Sequence, residues 1–522
     1  MKIITKEEAA KIIKDGDMVA ISGSGGSGSC EAILTGIKDS FLNTGHPCNL
    51  KVTCGISPGN LTNDDVGMNM LAKPGLVSLA ICAHLGMGRI FGNAIGSEQI
   101  PAFAVPLGVI NHLYRAIAGH EIGVLTKIGL NTFADPRIDG CRTNEGAKKF
   151  PDMVKLLEID GEESLLYKSF PINVALIKAT YADEEGNISF EHEGVIGEQY
   201  NMAIAAHNSG GIVIAQVEKI VPDHTLRARD VLVHSSYVDY VVVAEPDLSL
   251  GEYNIPVYRP ELTGDSRIEL SKVAIRPLDE RKVCGRRAAM ELHKNSVINL
   301  GVGMPDSVSN VAAEEGFSDD IDLSVESGPT GGVPVGGVCF GAAINPESVI
   351  PTAEQFDAYN GGCLDMAILG LAEVDELGNV NVSKFGTRVT GPGGFINITQ
   401  STRKVVFMGT FTAKGLDEEV GNGKLIIKTE GEKHKFVKSV QQITFSAKQA
   451  LKNHQKILYV TERAVFKLVE GGIELIEIAP GVDLQKDILS QMDFMPKIST
   501  NLKLMDERIF KEEKMNLKLQ EK

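Results

Sequence analysis

One glutamate stands at the end of a short apolar segment and directly before a glycine-rich loop. Residues 322–325 have the composition of a buried strand, Glu326 follows, and the next eleven positions contain five glycines. Ligands of α/β sheets bind at the carboxyl ends of strands, and glycine lets the backbone approach a ligand closely. A glutamate at a strand end is, in isolation, more often a surface charge. The adjoining loop favours a functional carboxylate at Glu326.

Two further loops could stabilise negative charge with backbone N–H groups. Residues 301–305 lie between a predicted strand, 297–300, and a predicted helix, 307–314, so they present amides and a positive helix end to an anion. Gly393 and Gly394 follow Gly391-Pro392, and such a loop can point two N–H groups at a developing oxyanion. A plain structural turn is the alternative interpretation of each loop, and the loop at 301–305 lacks the complete GxGxxG dinucleotide pattern.

Several other chemistries find no support in the residue pattern. The histidines have no HxxxH or HExxH spacing, the eight cysteines contain no CxxC pair, and no GxxxxGK[ST] motif occurs. We therefore expect no metal site, no disulfide framework and no serine–histidine machinery. The formal net charge of −16 and the absence of tryptophan make a nucleic-acid partner an unfavourable hypothesis.

The surrounding elements indicate an α/β protein. Short runs rich in β-branched residues alternate with helical patterns, which predicts buried parallel strands. The predicted strands include 18–21, 212–216, 238–243, 366–369 and 405–408, and the predicted helices include 7–13 and 286–293. The N-terminal segment lacks the apolar core of a signal peptide, and the longest apolar stretch, near 100–114, is too short to span a bilayer. These features predict a cytoplasmic protein with no membrane contact.

An internal sequence repeat predicts two homologous domains in tandem. A helix, a short strand and a glycine loop occur at 7–28 and again at 286–304, and the Asp183-to-Asn187 segment repeats at Asp375-to-Asn379. The proline-containing segment between the copies resembles a linker. We predict an N-terminal domain at 1–245, a linker at 246–279 and a C-terminal domain at 280–522, of which 497–522 forms a solvated tail with helical tendency.

Taken together, the segments resemble the family I coenzyme A transferases, in particular the fused single-chain acetate/propionate branch. The resemblance extends over nearly the whole chain and is strongest in the second half. The matching blocks are 105–115, 130–137, 210–218, the Glu326-Ser327-Gly328 segment with Gly331 and Gly332, the segment from Asp375, Gly393-Gly394-Phe395, 461–466 and 478–483.

The resemblance implies a fold, a reaction and a set of roles. It implies two α/β domains of the NagB type with largely parallel sheets, and a homo-oligomer, either a dimer or a tetramer. It implies transfer of coenzyme A from a short-chain acyl-CoA to an acetate, propionate, butyrate, lactate or 3-oxoacid acceptor by a ping-pong reaction. Coenzyme A would be a cosubstrate, with no tightly bound cofactor. Glu326 would be the nucleophile, Gly393 and Gly394 the oxyanion hole, and Gly301, Val302, Gly303, Met304 and Pro305 the coenzyme A-binding loop.

The chain departs from the family pattern at a few positions. Leu107 replaces the glutamine that often follows the proline, His234 and Ser235 replace a Pro-Gly pair, and Cys363 replaces a glycine. Leu107 is expected in the acyl pocket together with Gly25 and Gly26, so the substrate preference of the branch does not transfer automatically.

Three alternative functions are compatible with parts of the pattern. An acyl-CoA hydrolase would use the same glutamate and release thiol without an acceptor. A sugar-phosphate isomerase or deaminase of the same fold class would normally have one domain, whereas this chain duplicates it. A metabolite-binding regulatory protein would tolerate loss of Glu326.

Overall fold

The structure is a computed structural model that describes residues 1–59, 63–245, 248, 258–269, 276–301, 303–336 and 339–522. The α-helices of these residues are α1 (Lys6–Ile12), α2 (Glu31–Thr44), α3 (Arg89–Gly96), α4 (Leu107–Ala118), α5 (Gln199–Asn208), α6 (Pro260–Thr263), α7 (Glu280–Ala289), α8 (Ser307–Glu315), α9 (Thr352–Asn360), α10 (Phe395–Ser401) and α11 (Ala447–Lys452). Short 3-10 or π turns lie between them, including Met304–Asp306 and Glu507–Phe510.

The strands of the described residues are β1 (Lys2–Ile3), β2 (Met18–Ile21), β3 (Leu50–Ile56), β4 (Val77–His84), β5 (Ala102–Ala104), β6 (Gly123–Thr126), β7 (Val154–Ile159), β8 (Glu162–Lys168), β9 (Val174–Lys178), β10 (Tyr181–Asp183), β11 (Ile188–Ser189), β12 (Ile212–Val217), β13 (Lys219–Val221), β14 (Val231–Val233), β15 (Tyr240–Val243), β16 (Ser296–Leu300), β17 (Ile321–Ser324), β18 (Pro329–Thr330), β19 (Val333–Pro334), β20 (Ala343–Ile344), β21 (Ser348–Val349), β22 (Met366–Gly370), β23 (Glu373–Asp375), β24 (Val380–Asn381), β25 (Lys384–Phe385), β26 (Arg388–Val389), β27 (Lys404–Met408), β28 (Thr412–Ala413), β29 (Asp417–Gly421), β30 (Lys424–Thr429), β31 (Lys433–His434), β32 (Phe436–Val437), β33 (Lys456–Val460), β34 (Ala464–Val469), β35 (Gly472–Ile478) and β36 (Lys497–Leu504).

The chain divides into two compact units, each assembled from several segments. The first unit contains Met1–Arg267, Val325–Asp357 and Ser383–Asn397, and the second contains Ile268–Ser324, Ala358–Val382 and Ile398–Lys522. Both units therefore draw on residues from the second half of the sequence. The predicted boundaries at 245 and 280 refer to the two sequence copies and stay a prediction.

A parallel sheet forms the framework of the first unit. Its eight strands run in the order β1-β15-β12-β9-β2-β3-β4-β5, and every neighbouring pair is parallel. Strands such as β2 and β9 are buried along their whole length, as expected for a parallel sheet covered on both faces. Apolar residues of α1 and α2 pack with this sheet in one core.

The second unit contains a sheet of mixed direction. The strand order within this unit is β17-β16-β22-β27-β33-β34-β35-β36. The first five strands are mutually parallel, β34 and β35 continue as antiparallel neighbours, and β36 returns parallel to β35. The predicted α/β class with largely parallel sheets is confirmed.

The duplicated acidic turn is also confirmed at atomic detail. In the first unit, Asp183 is the last residue of β10, and its carboxylate accepts hydrogen bonds from the backbone N–H groups of Gly186 and Asn187. In the second unit, Asp375 ends β23 and accepts the backbone N–H of Asn379. Each turn therefore uses a strand-end aspartate to satisfy the amides of the glycine–asparagine bend that follows, as Asx-type turns do.

Two predicted elements differ from the structure. The helix expected at 286–293 is α7, which begins earlier because the Asp279 side chain caps the backbone N–H of Lys282. The prediction that 497–522 forms a solvated tail with helical tendency is wrong. Residues of β36 add a strand to the sheet, and Ile509 and Phe510 are fully buried in the core of the second unit.

The C-terminal segment is attached to the second unit by a buried arginine. The Arg286 side chain on α7 is completely buried, and its guanidinium donates to the carbonyl oxygens of Arg508, Ile509, Lys511 and Glu513. Guanidinium carries fixed donors and stays charged, so it can satisfy several carbonyls at once. The charged C-terminal segment that suggested a solvated tail is therefore attached to the second unit through Arg286.

We predict that Arg286→Ala destabilises the second unit and releases its C-terminal segment. The variant leaves several buried carbonyls without donors and creates a cavity, so unfolding free energy should fall by about 3–5 kcal/mol. Urea unfolding and limited proteolysis of the full chain measure the effect. Arg281→Ala is the matched control, because Arg281 is exposed on the same helix. Equal stability of the two variants would contradict the anchoring role.

Candidate active site

The carboxyl ends of four adjacent strands define one edge of the first sheet. β2 leads into residues 23–28, β3 ends beside Ser57, β4 ends at His84, and β5 is followed by Leu107. Because these strands are parallel neighbours, their ends meet at the same edge, where α/β proteins bind ligands. Backbone hydrogen bonds join the edge, from Ser57 to the His84 carbonyl and from Gly59 to the Gly25 carbonyl.

Glu326 belongs to the same unit and is buried. Its side chain is 9% exposed, and its carboxylate accepts a hydrogen bond from the backbone N–H of Gly394. A Cβ atom on Gly394 would lie 1.9 Å from Glu326 Oε2, so only glycine permits this contact. No basic side chain of the described residues pairs with the carboxylate. Glu326 therefore sits against a backbone amide and lacks a counter-charge.

The environment of Glu326 makes its ionised form costly. Burial raises the pKa of Glu326 to about 7, and the hydrogen bond from Gly394 opposes this rise. A carboxylate without a cation in a dry site is poorly solvated, since desolvation penalises the charged form. Near neutral pH the group exists as both acid and anion, and the anion is more reactive than a solvated glutamate.

Gly393 connects Gly394, the neighbour of Glu326, to the strand edge. The Gly393 N–H donates to the Ala83 carbonyl at 3.1 Å, and its carbonyl accepts the Leu107 N–H at 2.9 Å. Of the two amides predicted as oxyanion donors, one is therefore engaged with β4 and the other with Glu326. The structure brings Glu326, Gly393, Gly394 and Leu107 together.

The predicted acyl-pocket glycines lie in the loop of residues 23–28. Gly25 has a φ of +61°, and a Cβ there would come within 3.5 Å of the Met87 side chain. Gly26 is buried. A Cβ on Gly341 would lie 3.3 Å from Ser24 Oγ and 3.2 Å from Ser327 Oγ, so this loop approaches the residue next to Glu326.

The predicted coenzyme A loop belongs to the second unit. Val302 lies outside the described residues, whereas Gly301, Gly303, Met304 and Pro305 are described. Gly303 has a φ of +89°, and its N–H donates to Asp306 Oδ2 at 3.1 Å. The left-handed backbone explains the glycine at this position. The binding role of the loop stays a prediction.

The remaining departures from the family pattern lie on the surface. His234 is exposed, and its ring accepts the backbone N–H of Ser236 in the turn that includes Ser235. Cys363 is exposed after α9. Elsewhere in the described residues, Asp15, His46 and Cys48 place potential ligand atoms within 4.8 Å of one another, but Asp15 already bonds to His46 and to the Cys48 amide.

Comparisons with known proteins identify the family of this chain. A profile described as "Coenzyme A transferase" matches residues 3–244. The chain is 48% identical over 516 residues to the caffeate CoA-transferase of Acetobacterium woodii, covering 98% of each protein. The chain belongs to the coenzyme A transferase family. It is also 43% identical to the acetate CoA-transferase YdiF of Escherichia coli, over 99% of this chain and 97% of the relative.

A solved structure extends the comparison to the fold of this coenzyme A transferase. The crystal structure of Escherichia coli YdiF as a thioester complex with CoA superposes with a TM-score of 0.93 at 40% identity. The alignment covers 100% of this chain and 98% of that one. The chain is an enzyme that transfers coenzyme A to carboxylic acids. Among the described residues, none of the helices combines the length and apolar character needed to cross a membrane.

Two buried residues near this candidate site were not predicted from the sequence. His84 ends β4, its ring lies near Gly393, and its Nδ1 is buried without a protein partner. Burial lowers the pKa of His84 to about 4, with a further contribution from Arg388, so the imidazole is neutral at pH 7. Glu198 is buried beside Leu107. A strand-end position could have indicated His84, whereas no motif indicates Glu198.

We predict that Gly394→Ala disables the transferase while preserving its fold. The new methyl group would overlap Glu326 Oε2 and displace the carboxylate, and a misplacement of about 1 Å costs on the order of 100-fold in rate. Steady-state transfer assays measure kcat, and circular dichroism checks the fold. Gly421→Ala is the control, because a Cβ there meets no atom within 4 Å. Wild-type kcat in Gly394→Ala would contradict the observed packing.

Proposed function

We propose that Glu326 is the nucleophile of this coenzyme A transferase and carries a glutamyl-CoA thioester between two half-reactions. The observation that supports the proposal is the buried Glu326 carboxylate, held by the Gly394 amide and without a basic partner among the described residues. The YdiF crystal structure, a thioester complex with CoA, contains a species of the same chemical kind in a relative.

The chemistry of transfer explains why a carboxylate is the suitable nucleophile. The Glu326 carboxylate attacks the acyl-CoA carbonyl, the C–S bond breaks, and an acyl–glutamyl anhydride and the CoA thiolate form. The thiolate attacks the glutamyl carbonyl, which releases the acyl group as a carboxylate and leaves glutamyl-CoA. The acceptor carboxylate repeats these two steps in reverse order. No net proton transfer is required, and the free energy of the thioester is retained in both intermediates.

The Gly394 amide is the donor best placed to stabilise the oxyanion. Its N–H lies against the Glu326 carboxyl group, and the oxyanion forms on this group when the thiolate attacks the glutamyl carbonyl. A preorganised donor of this kind contributes about 3–4 kcal/mol in other enzymes. The Gly393 amide is committed to the Ala83 carbonyl, so we assign it a positioning role.

The acid substrates are proposed from the resemblance and from the relatives' names. Short-chain acids such as acetate, propionate, butyrate, lactate or a 3-oxoacid match the branch, and the relatives named for caffeate and acetate widen the range. An exchange panel that crosses acyl-CoAs with carboxylates, caffeate included, identifies the preferred pair. We also propose that coenzyme A is a cosubstrate and that the enzyme has no tightly bound cofactor. The enzyme is further proposed to be a homo-oligomer located in the cytoplasm.

We predict that acyl-CoA alone converts Glu326 into a thioester. A ping-pong enzyme must stop halfway without acceptor and release free acid in an amount equal to its active sites. Borohydride should then reduce the thioester to an alcohol, which peptide mass mapping locates at Glu326.

Glu326→Gln is the matched variant for this experiment. The amide keeps the size of the side chain but is a far weaker nucleophile, so we expect no label and a loss of several orders of magnitude in turnover. Acid release from the wild type with an unmodified Glu326 peptide would refute the mechanism, and continuous acceptor-independent release would instead identify a hydrolase.

A further prediction tests the proposed coenzyme A loop. Gly303→Ala should raise the apparent KM for acyl-CoA more than the KM for the acceptor, because a side chain obstructs the approach of the backbone to the ligand. Gly316→Ala controls for the addition of a side chain at a glycine of positive φ, since Gly316 has a φ of +86° against +89° and both positions face open space. Equal effects of the two variants on acyl-CoA would support the plain-turn interpretation.

A further inference from the structure

A second buried carboxyl group lies close to the predicted acyl pocket. Glu198 is 3% exposed, and its Oε1 accepts the Gly55 backbone N–H at 3.2 Å, near the carboxyl end of β3. A Cβ on Gly55 would lie 3.1 Å from this oxygen and 3.0 Å from Leu107 Cδ1. Glu198 and Leu107 are therefore neighbours on the strand edge. The Leu107 N–H donates a hydrogen bond to the carbonyl of Gly393, the residue before Gly394.

Apart from accepting the Gly55 N–H, the side chain of Glu198 has no evident structural task. It occupies the N-cap position of α5, yet it makes no capping hydrogen bond. No lysine, arginine or histidine of the described residues forms an ion pair with it. Burying a carboxyl group without a cation is costly, and natural proteins keep such groups mainly at functional sites.

The adjacent residue supplies an unsatisfied acceptor. Gln199 is 1% exposed, its Oε1 has no protein partner, and its Nε2 lies 3.1 Å from a Cβ position on Gly28 in the loop of residues 23–28. Buried polar atoms normally find partners, so an unpaired acceptor of this kind is suited to a ligand's donor. The Gln199 Nε2 donor therefore lies near this loop, whereas its Oε1 lies 2.6 Å from a Cβ position on Gly197.

We propose that Glu198 is a specificity-determining residue that accepts a hydrogen bond from a hydroxyl group on the acyl moiety, so that the enzyme prefers hydroxy acids to the same acids without the hydroxyl. The inference rests on the proposed function. It assigns recognition of the acyl group to Glu198 and leaves the reaction at Glu326 unchanged.

The chemistry of the neighbours supports this assignment. Leu107 offers an apolar wall, and the Tyr114 hydroxyl is engaged with Thr53 at 3.0 Å. Burial raises the pKa of Tyr114 well above its usual value, and the Cys82 thiol together with burial does the same for Cys54. Both groups are neutral at pH 6–8, which leaves Glu198 as the titrating acceptor among these neighbours. Burial raises its pKa to about 7, opposed by the Gly55 N–H.

The test compares acids that differ by their hydroxyl groups. Lactate and propionate, 3-hydroxybutyrate and butyrate, and caffeate and cinnamate place hydroxyls at increasing distances from the reacting carboxyl. For the pair whose geometry fits, wild-type kcat/KM should favour the hydroxy acid by about 10- to 100-fold, as expected for a hydrogen bond to a charged acceptor. Glu198→Leu should bring this ratio to about one while the non-hydroxylated acid still reacts. Glu184→Gln is the control, because Glu184 is exposed on the same segment of the chain.

The pH dependence gives an independent readout if Glu198→Leu does not fold. The ratio between paired acids should rise with pH through about 7 in the wild type, as Glu198 becomes the stronger carboxylate acceptor, and should be independent of pH in Glu198→Gln. Titration of Glu326 affects both acids and cancels in the ratio. Active transfer with no preference in any pair, or a preference unchanged in both variants, overturns the role of Glu198 alone. Absence of transfer and of the Glu326 thioester removes the proposed function as well.

Discussion

The cost of holding a carboxylate in a dry site without a counter-charge governs the architecture around Glu326. Water would solvate the anion and weaken it as a nucleophile, and a nearby lysine or arginine would neutralise it and lower its reactivity. The protein instead supplies one backbone amide, from a glycine whose missing side chain leaves room for the carboxylate. The parallel sheet positions this contact. The end of β4 and the start of α4 form hydrogen bonds with Gly393, which directly precedes Gly394.

Much of this arrangement is present in the sequence as local pattern. The strand before Glu326, the β-branched runs of the parallel sheets and the repeated aspartate turns follow from period, composition and turn chemistry. Glu326 was proposed from the sequence because strand end and glycine loop coincide in one short segment, and its role stays a prediction. The family resemblance then added the reaction, which composition and spacing do not contain.

The errors and omissions share a physical cause. The C-terminal segment has the charges of a solvated tail, but Arg286 satisfies its carbonyls at a sequence separation of 222–227. Glu198 reaches Gly55 across a separation of 143, and His84 meets Gly393 only in the folded unit. Long-range partners such as these leave no local signal. Helix limits depend on caps, as Asp279 shows for α7.

The first unit is assembled from separate segments of the chain, and this has a consequence for biosynthesis. The chain passes between the units at residues 267, 324, 357, 382 and 397, and the amide of Gly108 meets the side chain of Asn397 across 289 positions. During translation the sheet edge therefore emerges long before Glu326 and Gly394 exist. Such distant contacts are entropically demanding and form late. The Glu326 carboxylate therefore meets the Gly394 amide only after about three quarters of the chain has been made, and no shorter nascent fragment contains this pair.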